Sequence, residues 1–157
     1  MPLTLADHFA LIEDEFAAAV AAPLSVRKAF LVAVLLDHFA DRVFERFRTG
    51  DPKKVFGAED LPAYRDLLRG RSPALATIFA LCAQKPGGPE LKTLAVEVPI
   101  ADYPSLSVED FMVSLYNQHT VQRVMIIGAD GSQTLIHEIL AAAIAWWRAA
   151  APWRPNT

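Results

Sequence analysis

Residues 25–48 read SVRKAFLVAVLLDHFADRVFERFR, and this stretch decides the fold. Ser25 can cap a helix. After it, Val32, Leu36, Phe39, Val43 and Phe47 recur at spacings of three and four, which draws one apolar seam along a helix. Phe30, Leu31, Val34 and Leu35 make the first half apolar on nearly all sides. A helix apolar all round is a buried helix, so the pattern predicts the central member of a bundle. It runs to about Arg48 and stops at Thr49-Gly50-Asp51-Pro52. At about 1.5 Å per residue its length is roughly 35 Å.

Upstream, Thr4 can cap a first helix to about Ala22, with Leu5, Phe9, Ile12, Phe16 and Val20 on one face and Pro23 as its stop. Downstream, residues 51–58 read as a loop. A third helix spans about Asp60 to Arg69, with Tyr64, Leu67 and Leu68 inward and Gly70 at its end. Ser72-Pro73 then places an N-cap before proline at the first helical position, opening a short apolar helix to about Ala83. Lys85-Pro86-Gly87-Gly88-Pro89 breaks the chain.

The period changes after this breaker. Leu94, Val96, Val98 and Ile100 alternate with Thr93, Ala95, Glu97 and Pro99, as in a strand. Ser107 with Asp110 resembles a capping box for a helix from Val108 to about Gln118. Thr120 to Ile127 is rich in β-formers and ends at the turn Gly128-Ala129-Asp130-Gly131. A last helix is expected from Ser132 to about Ala150, with Leu135, Ile139, Ala143, Trp146 and Trp147 on its face. The expected fold class is α+β, mainly α: a bundle of five or six helices with a small two-stranded β element before the last helix. Residues 1–151 read as one helical-bundle domain, and 152–157 as a frayed C-terminal tail in which Trp153 alone has the bulk to pack.

The 157 residues are 53% hydrophobic with a mean hydropathy of +0.24. Much of this is alanine, which favours helix without adding large apolar area. The remainder is consistent with a buried contact between copies, so a homodimer is expected. The net charge is −3, which gives no global case for nucleic acid. It is unevenly spread. From Arg42 to Lys92 there are ten basic and six acidic residues, so a phosphate- or RNA-binding face would draw on Lys53, Lys54, Arg65, Arg69 and Arg71. The single cysteine, Cys82, cannot form an internal disulfide. The acidic first helix does not read as a signal peptide, and no apolar run reaches the roughly 20 residues a bilayer span needs. A cytoplasmic protein without a membrane segment is expected.

The best-placed titratable group is Asp37, His38 and Asp41. On a helix Asp37 and Asp41 share a face, and His38 neighbours Asp41 one turn on. A histidine beside carboxylates can serve acid–base chemistry or offer ligands to a metal, for which His8 and Glu15 of an antiparallel first helix could complete the set. The bland alternative is a wet helix edge with a structural His–Asp network. His119, at a helix end, reads as a partner of terminal carbonyls, and His137 and Glu138, being adjacent, diverge on a helix. Cys82, near a helix C-terminus, lies at the wrong end of the dipole for a nucleophile. GADGS at 128–132 lacks the lysine and the glycine spacing of phosphate loops. No cofactor is implied.

The order LLDHFADRVFERF, YRDLL, SPALATIFALCAQK, strand-like residues, a DG turn and an alanine-rich helix ending in tryptophan resembles a group of small bacterial helical-bundle proteins of uncharacterised activity. These are distantly similar to HEPN-type domains. The resemblance covers most of the chain and implies a helical bundle. The arginine–histidine motif of HEPN ribonucleases has no counterpart, and Lys85 is followed by Pro86 where the resemblance implies histidine. Two functions therefore stand side by side. One is a non-catalytic, self-associating bundle. The other is a degenerate HEPN-like RNA-acting protein or metal-dependent hydrolase using Asp37, His38 and Asp41.

Overall fold

Each of the first four helices starts where a short polar side chain can take over an orphan backbone N–H. In this computed structural model, which describes residues 2–97 and 120–155, α1 spans Leu5–Ala21. The Thr4 hydroxyl accepts from the Asp7 N–H, and the Asp7 carboxylate accepts from the Thr4 N–H, both at 3.1 Å. The Ser25 hydroxyl likewise accepts from Lys28 at the head of α2, Val26–Phe47. A 3-10 turn, Pro52–Val55, leads to α3, Leu61–Arg71, capped by Asp60, and α4, Pro73–Ala83, capped by Ser72. Gly70 was expected to end α3, but the helix runs one residue past it. One glycine in a helix costs only about 1 kcal/mol, whereas the extended backbone of Ser72 ends the helix outright.

Strands β1, Glu90–Glu97, and β2, Thr120–Ile127, pair antiparallel, with Thr93 opposite Val124. A third strand, β3, Gln133–Leu135, pairs with the end of β2, and α5 begins only at Ile136 and ends at Ala150. The sheet is thus three-stranded, in the order β1-β2-β3, rather than two-stranded. The correction lies in the turn. The Gly128 N–H donates to the Ser132 carbonyl at 2.8 Å, and Gly131 takes a positive φ of 84°. The closed hairpin lays residues 133–135 along β2, so Ser132 caps nothing and the helix waits until Ile136. Val98, Ile100, the expected helix 108–118 and His119 lie outside the described residues.

The bundle is organised around α2, which packs against α1, α3, α4, α5 and the start of the sheet. Its expected seam is wholly buried, from Val32 through Phe47. Phe39 sits at the centre, 4.9 Å edge-on to Trp147 of α5 and 5.9 Å from Phe9 of α1. Val124 and Ile126 of β2 join the same core, so the small sheet leans on the bundle.

Two expectations fail here. The first half of α2 is not buried all round, because Leu31 and Val34 are 43% and 40% exposed. Among the described residues, the neighbouring elements cover the seam and leave this stripe open. The stretch after α5 is not frayed either. Pro152 is buried, Trp153 stacks on Phe9 at 4.6 Å, and Lys54 Nζ donates to the carbonyls of Pro152 and Arg154 at 2.7 and 2.8 Å. No helix among the described residues is long and apolar enough to cross a membrane.

Candidate functional site

The trio on α2 divides between two neighbours. Asp37 and Asp41, one turn apart, both point to α3 and receive the same guanidinium. Arg65 donates Nη2 to Asp37 and Nη1 to Asp41 Oδ1 at 2.7 Å, and Nη1 also reaches the Asp37 carbonyl at 3.2 Å. The Arg65 guanidinium lies 4.2 Å over the Phe79 ring of α4. A planar cation with carboxylates at its edge and an aromatic ring on its face uses both of its modes of recognition at once. This ties α2, α3 and α4 together. It also engages one carboxylate oxygen of each aspartate in an ion pair.

His38 leaves this group. It is exposed, and its ring centre lies 6.3 Å from that of His8 on α1. His8 is buried, edge-on to Phe39 at 5.4 Å. Arg42 of α2 donates Nη1 to His8 Nδ1 at 3.1 Å and Nη2 to the Leu3 carbonyl at 3.0 Å. Arginine can only donate, so Nδ1 is the acceptor and His8 is neutral, with its proton on Nε2. Burial, then the charges of Arg42 and His38, hold its pKa below the usual histidine value. Glu15 does not join either cluster. Among the described residues no three His, Cys, Asp or Glu side chains converge as metal ligands.

The other candidates read as structure. Burial, then the charge of Asp37, pushes the Cys82 thiol up to about 12, so it is not a nucleophile at neutral pH. The N–H groups of Gly128, Gly131 and Ser132 are spent inside their own turn, with Ser132 donating to Asp130 Oδ1 at 3.0 Å. His137 is half-buried, with its pKa lowered by burial and by Arg123. Much of the basic middle segment is also engaged: Arg65 with Asp37 and Asp41, Arg69 with Asp66, Lys54 with the last carbonyls, and Arg71 over the Phe56 ring at 3.9 Å.

Sequence reasoning missed Arg65 and Arg42 as partners of the acidic and histidine groups. Both were visible as arginines, but only the packing of α3 and α1 on α2 says which carboxylates and which imidazole they meet. Comparison with protein-family models, with curated proteins and with solved structures finds no match.

Proposed function

We propose that this chain is a non-catalytic helical-bundle protein that acts by association, first of all with a second copy of itself. The observation that carries this reading is the outer stripe of α2. Arg27, Leu31, Val34 and His38 follow one another at spacings of four, three and four and are all exposed. Leu31 and Val34 put two large apolar side chains at its centre, flanked by polar ones, as in a contact with an apolar core and a polar rim. A self-complementary helix stripe closes about a twofold axis, which favours a dimer.

Sedimentation velocity or light scattering at micromolar concentration tests this. A dimer is expected for the native chain and a monomer for Leu31→Lys/Val34→Lys, which should keep the helical circular dichroism of the native fold because both positions are exposed in the single chain. A native chain that stays monomeric sinks the proposal.

Catalysis by Asp37, His38 and Asp41 is the weaker reading, because Arg65 ties both carboxylates into a structural ion-pair cluster and His38 sits apart from them. It would return if the chain cleaved RNA and His38→Ala abolished the cleavage, or if untagged protein carried a stoichiometric metal.

A further inference from the structure

The cluster that the function above leaves unused lies at the far end of α5. There a crevice of about 830 Å³ opens between the turn around residues 51–56, the inner face of α3 and the stretch 149–155. A volume of this order matches a small-molecule site. Its floor is aromatic: Tyr64 and Trp147 line it and are each only 1% exposed. Phe56, 37% exposed, and the half-buried Trp146 form its walls.

Two further observations fall on the same crevice. Trp147 Nε1 is buried and has no acceptor among the described residues, although buried donors are nearly always paired. The rim carries Lys53, Lys54 and Arg154 against one carboxylate, Asp51.

The charge balance decides the ligand class. The C-terminal carbonyls of α5 bring partial negative charge to this end. Lys54 is already engaged, since its ammonium binds the Pro152 and Arg154 carbonyls just beyond the helix and lies 4.8 Å over Phe47. Among the described residues the side chains of Lys53 and Arg154 carry no ion pair, so they set the sign of the mouth.

From this we propose that the crevice is a binding site for a planar aromatic anion, its ring between Phe56 and Trp146 and its charged group between Lys53 and Arg154. Aromatic walls favour a flat ring, and paired cations at the mouth favour a carboxylate-like group over a neutral or cationic one.

Titration of the full chain with 2-naphthoate, 2-naphthylmethanol and 2-naphthylmethylammonium tests this, read by tryptophan fluorescence and by calorimetry. Naphthoate should saturate, and the ammonium compound should bind at least about tenfold more weakly. Lys53→Glu/Arg154→Glu should weaken naphthoate by about tenfold or more while leaving the alcohol unchanged. Phe56→Gly keeps the left-handed backbone, removes the ring and should weaken all three. The proposal is overturned if naphthoate shows no saturable binding, if the ammonium compound binds as tightly, or if the charge-reversed variant, folded by circular dichroism, binds naphthoate like the native chain.

Discussion

Arg65 holds Asp37 and Asp41 on one guanidinium, packed over Phe79. All three charged side chains are more than half shielded from solvent, so losing the arginine leaves two carboxylates one turn apart without a counterion. Arg65→Met should therefore destabilise the fold by about 2 kcal/mol in urea unfolding. Adding Asp37→Asn and Asp41→Asn should restore part of the loss, because the burden is unpaired charge rather than missing volume. His8 gives a separate pH signature. Its folded-state pKa lies below the ordinary 6.5, so the unfolded chain binds the extra proton first. Stability is present above 6.5, falls as the pH drops below it and levels off once the folded form also protonates. The groups facing His8 are Arg42 and His38, both repelling a second positive charge. His137 adds a contribution of the same sign, while Asp7 and Asp130, held below 3.8, act only in stronger acid. His8→Gln should thus flatten part of the stability slope between about pH 7 and pH 5, measured by thermal unfolding across that window. A slope unchanged in His8→Gln would show that His8 is not the sensor.

At the scale of elements, three caps were legible. Thr4, Ser25 and Ser72 mark helix starts within the sequence, because an N-cap is a local hydrogen bond three residues long, whereas the Gly70 stop and the Ser132 start did not hold. The third strand was not legible. Residues 133–135 carry no strong strand signal, and their pairing depends on a hairpin closing five residues earlier. The stretch after α5 was also misread. Residues 152–157 read as a frayed tail in which Trp153 alone could pack, but Lys54, about 100 residues away in sequence, binds the carbonyls of Pro152 and Arg154, and Phe9 takes the Trp153 ring. Lys54→Met keeps an unbranched apolar side chain and removes both charge-assisted hydrogen bonds together with the ammonium over Phe47, so it should cost about 2 kcal/mol. The same variant should shift Trp153 emission to the red as the ring leaves Phe9. Unchanged emission would mean that stacking alone holds the segment.

For the whole molecule, α2 is the helix on which the other described helices and β1 pack, and its seam could be read from spacing alone. What spacing could not say is which of its other sides has a neighbour. Leu31 and Val34 are as apolar as Leu36, yet they remain at the surface. The same limit governs the candidate site. Asp37, His38 and Asp41 were found because they interrupt an apolar run, but their separation into an Arg65-bound pair and a His8-facing histidine depends on which helix lies against each side. The crevice at the end of α5 draws on residues from positions 51 to 155, and no local motif joins them. Helix positions, caps, the strand-period change and the central seam follow from the sequence by itself, since hydrophobic period and short-range hydrogen bonds act within a few residues. The partners of the charged groups, the third strand, the anchored end and the open stripe were decided by tertiary structure, because each is a contact between residues far apart in the chain.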